Sequence, residues 1–260
     1  MKLPRYRIQF PQPGSHELAQ DEVYFYLADP DGNMRRIRFH DYDEIYKIPG
    51  LYEQVFYDRL KCTSPEKVAE ILKSSVDQTR MSLTELRVLD LGAGNGLMGE
   101  ALNDYGVSRM IGVDIIPEAR EAAERDRPYL YDAYYINDFC NLSDDQKEEF
   151  HSWSLNCLTT VAALGFGDIP PKAFMQAFNL IQSEGWVAFN IKETFLHGSD
   201  STGFSQMIRD LIFSEYLDIY HLERYRHRLS VEGEPLFYFA IAGRKKADIP
   251  ADYFEKYSAD

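Results

Sequence analysis

Short apolar runs alternate with helical stretches from residue 87 onward, and this alternation restricts the fold more than any other feature of the 260-residue chain. The apolar runs occupy 87–91, 110–113, 134–136, 155–158 and 186–191, and helical patterns lie at 97–105, 117–125, 143–150 and 171–183. Short strands that alternate with helices in this way form a parallel sheet with helices on both faces. We therefore predict an α/β fold with a doubly wound, mostly parallel sheet.

The C-terminal part shows a different pattern. After a further helix near 202–214, two β-rich runs at 217–226 and 236–242 are separated by a short polar segment. Two such runs in close succession predict an antiparallel hairpin. Together with the five preceding runs, this hairpin completes a seven-stranded sheet.

The N-terminal part predicts a separate cap. Two β-rich runs at 23–27 and 36–39 flank an Asp-Pro-Asp-Gly turn, which indicates a hairpin, and helices are expected at 51–60 and 65–76. The predicted organisation is an arm, hairpin and helical cap over 1–80, a main domain over 81–247 and a tail over 248–260.

A glycine-rich loop follows the first strand of the main domain. Its sequence is Gly92-Ala93-Gly94-Asn95-Gly96, and a helix begins at about Leu97. Glycines allow a tight turn and let a ligand approach the backbone. The dinucleotide fingerprint requires a further glycine where Leu97 stands, so the spacing disfavours NAD. Asp90, just before the turn, would repel a pyrophosphate but attract an ammonium group.

Acidic residues also end the second and third strands. Asp114 closes the second strand and is placed to accept hydrogen bonds from both hydroxyls of a ribose. Asp138 follows the third strand, between Asn137 and Phe139, where a carboxylate can accept from an adenine amino group while the phenyl ring packs on the base. The carboxyl ends of adjacent parallel strands share one edge of the sheet, which is where open α/β sheets bind ligands.

These motifs resemble the class I S-adenosylmethionine (SAM)-dependent methyltransferases. The likeness rests on 88–96, 111–114 and 137–139, extends over about residues 84–246, and includes the terminal hairpin, because the seventh strand of that fold runs antiparallel. The resemblance implies a methyltransferase with SAM as cofactor and S-adenosylhomocysteine as product. It places Gly92, Gly94 and Gly96 around the methionine moiety, with Asp90 supporting it, Asp114 on the ribose and Asp138 on the adenine amine. The expected cofactor site is completed by Ala93, Leu97, Ile115, Asn137, Phe139 and Thr159.

Methyl transfer from a sulfonium is an in-line displacement, so the protein mainly positions the reactants and excludes water. A base is needed only when the nucleophile carries a proton. The candidates are His197 after the fifth strand and Glu193 and Lys192 at its end, together with Asp168 after the fourth strand. The alternatives are that His197 is a solvent-exposed loop residue and that Glu193 and Lys192 pair with each other.

Substrate contacts are expected from the cap and from the loop after the fourth strand. Tyr52 and Tyr57 lie in the predicted helix 51–60, which could form a lid, and Asp168 lies in the loop. The alternative is that the tyrosines only pack the cap onto the core. The fourth strand departs from the family pattern, since Ser154 and Asn156 stand where many relatives have Phe-Asp, and this keeps a non-catalytic role open.

Charge and composition limit the partners. The chain has 42 acidic and 28 basic residues, a net charge of −14, which argues against nucleic acid and anionic lipid as partners. Half of the excess lies in 114–149, with eleven acids against four bases. The three cysteines form no close pair, no long apolar run or leader pattern is visible, and no cluster of His and acids suggests a metal. A cytoplasmic location is expected.

The preferred interpretation is a SAM-dependent methyltransferase that acts on a small metabolite or natural product. Methylation of a protein side chain or terminus is the second hypothesis. A SAM-binding member of the fold without catalysis is the third, and a nicotinamide-dependent oxidoreductase is the fourth.

Overall fold

A computed structural model of the chain describes residues 4–11, 22–164, 168–196 and 203–257. The strands are β1 (Ile8–Gln9), β2 (Tyr24–Ala28), β3 (Met34–Arg38), β4 (Arg87–Leu91), β5 (Arg109–Asp114), β6 (Ala133–Ile136), β7 (Cys157–Thr160), β8 (Trp186–Lys192), β9 (Leu217–Leu229) and β10 (Pro235–Lys245). The α-helices are α1 (Tyr42–Tyr46), α2 (Ser64–Val76), α3 (Leu97–Asn103), α4 (Pro117–Asp126), α5 (Asp144–Ser152), α6 (Pro171–Leu180), α7 (Phe204–Phe213) and α8 (Ala251–Lys256). A π-helix spans Glu53–Arg59, and short 3-10 helices span Leu83–Glu85 and Glu193–Leu196.

Seven strands form one sheet in the spatial order β6-β5-β4-β7-β8-β10-β9. Strands β4 to β8 run parallel, and β10 pairs antiparallel with both β8 and β9. This confirms the predicted doubly wound, mostly parallel sheet with a closing hairpin. The chain reverses its direction of travel across the sheet between β4 and β7, and such a switch point opens a crevice at the carboxyl ends of the strands.

Both faces of the sheet are buried, which explains why its central strands are almost continuously apolar. In β8, Val187 and Phe189 point into one core with α6 and α7, whereas Trp186 and Ala188 point into the other core with α2 and α3. The period of two along the strand thus divides a single apolar run between two layers. No helix in the described ranges is long and apolar enough to cross a membrane.

The N-terminal segment forms a second, three-stranded antiparallel sheet in the order β1-β2-β3. The predicted hairpin is present, and its turn is fixed by Asp29, whose Oδ1 accepts from the Asn33 N–H at 2.8 Å. A core of its own, which includes Phe25 and Ile45, joins this sheet to α1 and the π-helix. The predicted helix 51–60 is therefore a π-helix over most of its length.

The fourth strand of the main domain begins two residues later than predicted, at Cys157. The cause is Asn156, whose Oδ1 accepts from the Arg87 N–H at 2.6 Å and whose Nδ2 donates to the Glu85 carbonyl at 3.0 Å. These bonds hold the preceding turn, in which Ser154 has a φ of 51°. The departure from the family pattern thus lies at the amino end of the strand, opposite the ligand edge, and has a structural explanation.

Lys245, at the end of β10, is 1% exposed and terminates α6. Its ammonium donates to the carbonyls of Phe178, Asn179 and Ile181 at the C-terminal end of the helix, where the regular helical pattern of donors ends, and it forms an ion pair with Asp248. Burial lowers the pKa of Lys245, and the charge of Asp248 opposes that shift. The buried cation thereby joins the edge of the sheet to the end of a core helix.

We expect Lys245→Met to lower the free energy of unfolding by about 2–4 kcal/mol, because it leaves buried carbonyls without donors. Urea denaturation measures this change. Lys246→Met is the matched control: Lys246 is exposed and its ion pair with Glu184 lies on the surface, so the midpoint should stay near that of the wild type. Equal losses in the two variants would contradict the capping role.

Candidate active site

A large cavity lies at the carboxyl ends of β4, β5, β6 and β7 and has a volume of about 350 Å³. One wall is the sheet edge and the other is the cap. The sheet edge contributes Asp114, Ile115, Asn137, Asp138 and Phe139, and the cap contributes His40, Tyr42, Tyr46 and Tyr52. The structure thus brings predicted residues from two separate strand ends to one cavity.

Two smaller cavities adjoin the large one, because all three are lined by Tyr52 and Ala162. The first, of about 30 Å³, follows the glycine loop and is lined by the predicted residues Asp90, Gly92, Ala93, Gly94, Leu97 and Tyr57, among others. The second, of about 50 Å³, extends behind the cap; we call it the inner recess. It is lined by Phe39, His40, Tyr42, Tyr52, Phe56, Cys62, Ala162, Leu164, Asp168, His227, Arg228 and Tyr238.

The glycine loop is held against β5 by its own backbone. The N–H groups of Gly92 and Ala93 both donate to the carbonyl of Val113, at 2.8 and 2.9 Å. Gly94 has a φ of +53°, and a Cβ at this position would overlap the hydroxyl group of Tyr46 from the cap. Glycine is therefore needed at 94 for its backbone conformation and for the close approach of the cap.

Gly96 lies behind the loop rather than on the cavity wall. It has a φ of +91°, precedes α3, and faces the side chains of Arg127, Leu130 and Tyr131. The position predicted for the methionine moiety is thus lined by Gly92 and Gly94, while the missing side chain of Gly96 leaves room for the segment before β6.

Asp90 is 1% exposed and already has two hydroxyl donors. Tyr131 donates to its Oδ2 at 2.6 Å and Thr159 donates to its Oδ1 at 2.9 Å. Thr159, predicted in a loop beside the cofactor, therefore lies within β7 and supports Asp90. Burial raises the pKa of Asp90 to about 6, although the two hydroxyl bonds favour the ionised form.

Asp114 lines the large cavity and is fixed by backbone donors. Its Oδ2 accepts from the Gly94 N–H at 3.0 Å and its Oδ1 accepts from the Ile116 N–H at 3.1 Å. Burial raises the pKa of Asp114, and these two bonds oppose the shift. Because an ionised carboxylate offers about four acceptor positions, two remain for a ligand.

The third predicted acid, Asp138, closes a turn at the cavity rim. Its oxygens accept from the N–H of Cys140 at 2.8 Å and from Nδ2 of Asn141 at 2.7 Å. The ring of Phe139 is buried, with its centroid 5.1 Å from that of Phe150. Ile115 is instead 61% exposed at the cavity, so it presents the larger apolar surface to a ligand.

Glu53 of the π-helix joins the cap to the loop, and sequence reasoning missed it. Its Oε1 accepts from Nδ2 of Asn95 at 2.8 Å and from the Arg127 guanidinium at 3.0 Å. Its Oε2 is buried and has no hydrogen-bond partner within the described part of the chain. An unsatisfied buried carboxylate oxygen beside the glycine loop is suited to a cationic ligand group.

His40 is a second residue that sequence reasoning missed. It follows β3, and its Nδ1 lies 3.1 Å from Oδ1 of Asp168, which was predicted from the loop after the fourth strand. Both residues line the large cavity and the inner recess. The pair is 128 residues apart in sequence, so no local motif could have indicated it.

Of the predicted catalytic residues, Lys192 and Glu193 at the end of β8 do not line these three cavities. Glu193 accepts from Nε of Arg224 at 2.6 Å, so its closest cation is on β9 rather than the adjacent Lys192. Burial lowers the pKa of Lys192, and the nearby charge of Arg228 adds to that shift. His197 lies outside the described residues.

Comparison with known proteins finds a methyltransferase domain in part of this chain. Residues 89–189 match the family model of a methyltransferase domain. A ubiquinone biosynthesis O-methyltransferase from Thiobacillus denitrificans is 27% identical over 112 residues, which cover 43% of this chain and 47% of that protein. The matched segment thus spans about half the length of this curated relative.

Solved structures show the same fold. A TehB-like SAM-dependent methyltransferase from Corynebacterium glutamicum is similar with a TM-score of 0.50 and 14% identity, covering 79% of this chain and 99% of that one. The N-methyltransferase NodS from Bradyrhizobium japonicum, in complex with S-adenosylhomocysteine, is similar with a TM-score of 0.52 and 13% identity, covering 80% and 98%. At these identities the likeness establishes the fold alone.

The raised pKa of Asp90 predicts how the free energy of unfolding depends on pH. An unfolded Asp has a pKa of about 3.9, so the folded protein binds this proton more tightly. The stabilisation is fully present below that value and is lost as the pH rises through about 6. We therefore expect Asp90→Asn, without ligand, to be more stable than the wild type at pH 7 by about 2 kcal/mol.

Chemical denaturation of both proteins between pH 4 and pH 8 measures this difference. The advantage of the variant should shrink toward pH 4, where the wild-type carboxyl is protonated. A difference that does not depend on pH would show that Asp90 titrates normally.

Proposed function

We propose that this chain, whose residues 89–189 match a methyltransferase domain, is a class I SAM-dependent enzyme that transfers a methyl group to an oxygen of a small-molecule acceptor. SAM is the cofactor of this domain, and S-adenosylhomocysteine is the product that it leaves. The observation that carries the proposal is the large cavity, which connects the acidic sheet edge with the His40–Asp168 pair inside one enclosure.

The residues at the sheet edge fit this cofactor. Asp114 keeps acceptor positions for the ribose hydroxyls, and the exposed side chain of Ile115 offers an apolar surface to the adenine. Asp90 and the unsatisfied Oε2 of Glu53 provide negative charge beside the glycine loop, where a methionine ammonium is expected. When bound, the cofactor supplies an electrophilic methyl group on a positively charged sulfur.

A small acceptor is supported by the dimensions and the walls of the cavities. The large cavity and the inner recess, of about 350 and 50 Å³, are in the range of small-molecule sites, and aromatic side chains form the cap wall. The tyrosine Tyr52 lines all three cavities, and Tyr57 lines the one along the glycine loop. The curated relative is by name an O-methyltransferase of ubiquinone biosynthesis, which supports oxygen as the acceptor atom.

His40 takes the place that the sequence assigned to the residues after β8. A hydroxyl nucleophile carries a proton at neutral pH, and a base within reach accepts it in the transition state. The Asp168 carboxylate orients the imidazole and stabilises the imidazolium that forms. Both side chains face the cavity from opposite elements, so docking of the cap assembles the pair.

We expect Asp114→Asn to weaken SAM binding at least about tenfold, because the amide leaves fewer acceptors for the ribose. Isothermal titration with SAM and S-adenosylhomocysteine measures the affinity. Asp145→Asn, on the exposed first turn of α5, is the matched control and should bind as the wild type does. If neither ligand binds or stabilises the wild type, the proposed function is wrong.

We expect His40→Ala to reduce methyl transfer by about 10²–10⁴-fold while SAM affinity is retained. Radiolabelled SAM is incubated with a cell extract, and the label is followed in the small-molecule and protein fractions. His151→Ala removes an exposed histidine far from the cavities and should transfer methyl normally. Label on protein would favour the second hypothesis, and binding of SAM without transfer would favour the non-catalytic one.

A further inference from the structure

The inner recess contains a buried positive charge. Arg228 on β9 is 6% exposed, and its one hydrogen bond within the described ranges is a donation from Nη1 to the carbonyl of Leu229 at 2.8 Å. Its guanidinium carbon lies 5.4 Å from the centre of the Phe39 ring. No carboxylate of the described residues lies within 4.0 Å of this guanidinium.

Arg127 shows how another largely buried arginine of this chain is paired with carboxylates. The guanidinium of Arg127, also largely buried, lies 3.0 Å from Glu53 and 2.7 Å from Glu100. Asp168, which lines the recess with Arg228, is placed against His40 instead. A buried charge is costly unless it is paired and hydrogen-bonded, so an arginine that is 6% exposed and has no carboxylate partner among the described residues is unusual. None of its nitrogens belongs to the fully enclosed side-chain atoms without a partner, so its remaining donors are accessible from the recess or from solvent.

Besides Asp168, and Lys192 close enough for its pKa to be lowered by Arg228, the neighbours of Arg228 include neutral and aromatic side chains. The ring of His227 lies 4.0 Å from that of Tyr238, and its Nδ1 is 2.5 Å from Oγ of Ser64. Burial lowers the pKa of His227 well below its usual value, and the charge of Arg228 adds to the shift, so the imidazole stays neutral. Phe39 and Phe56 complete the walls.

The geometry points to a complementary anion on the ligand. A guanidinium has five N–H donors in a planar fork that matches a carboxylate in two parallel hydrogen bonds, and Arg228 uses one of them. The recess, of about 50 Å³, has room for such a planar group but not for a whole acceptor. It shares His40, Asp168 and Tyr52 with the large cavity, so a molecule anchored in the recess passes the proposed base.

We propose that Arg228 binds a carboxylate of the acceptor, so that the substrate is a hydroxylated carboxylic acid with its acid group in the inner recess. This proposal rests on the proposed function and adds the substrate class to it. The carboxylate neutralises the buried guanidinium, and the hydroxyl faces His40 on the side of the large cavity.

The first test compares benzoate with benzamide, which have the same shape but differ in charge. Each is titrated into the complex with S-adenosylhomocysteine and followed by calorimetry. We expect the wild type to prefer benzoate by about 30-fold or more, because loss of one partner of a buried charge pair has effects of this size. Equal binding of the two probes, binding of neither, or tighter binding of inorganic phosphate would overturn the carboxylate site.

The matched variants are Arg228→Gln, Arg228→Lys and Arg226→Gln. The preference for benzoate should vanish in the first, persist at lower affinity in the second, and remain complete in the third, because Arg226 lies on the same strand but is exposed. A preference that survives in Arg228→Gln would overturn the proposal.

A second measurement needs no acceptor. If Arg228 serves a ligand, its charge is uncompensated in the free protein, so Arg228→Gln should melt at the same temperature as the wild type or higher. A clear drop in melting temperature would instead identify a structural arginine. SAM binding separates the two proposals: a wild type that does not bind SAM contradicts the proposed function, whereas normal SAM binding without discrimination between benzoate and benzamide contradicts only the role of Arg228.

Discussion

The contact between the cap and the glycine loop is the interaction on which the site depends. Glu53 accepts from Asn95 and Arg127 at the loop, and the hydroxyl group of Tyr46 lies where a side chain at Gly94 would be. The cap and the glycine loop each need the other to enclose the carboxyl edge of the sheet. Because the same docking brings His40 after β3 to Asp168 in the loop after β7, the enclosure of the sheet edge and the His40–Asp168 pair depend on one contact.

The features that the sequence could predict are those encoded locally. Each strand end carries its own acid, and parallel strands deliver their carboxyl ends to one edge whatever the details of packing, so Asp114 and Asp138 reach the cavity. The glycine loop is also encoded locally, because its residues are consecutive and directly follow β4. The errors among these local predictions are small shifts of element boundaries. The side-chain hydrogen bonds of Asn156 delay the start of the fourth strand, and Thr159 therefore lies within the sheet against Asp90.

The rest could not be predicted because it depends on pairs that are distant in the chain. His40 and Asp168 are 128 residues apart, and Arg228 meets the cap only through the long closing hairpin. In sequence, Arg228 looks like one basic residue among several on a strand, and only the packing shows that its side chain is buried. Glu193 shows the opposite case, since its position after β8 suggested catalysis whereas the structure pairs it with Arg224.

The charged side chains of the site are distributed unevenly between its two ends. Half of the net charge of −14 lies in residues 114–149, beside the acidic sheet edge, where Asp90 is buried, Asp114 is half-buried and Glu53 keeps an oxygen without a partner among the described residues. The inner recess holds the opposite sign at Arg228. An acid group on the acceptor is repelled at the first end and attracted at the second, while a cationic sulfonium has the reverse preference. In the function proposed above, the two reactants would therefore enter one cavity in a single orientation, with the reacting atoms between the charges. This ordering would follow from the positions of the charged side chains as well as from shape.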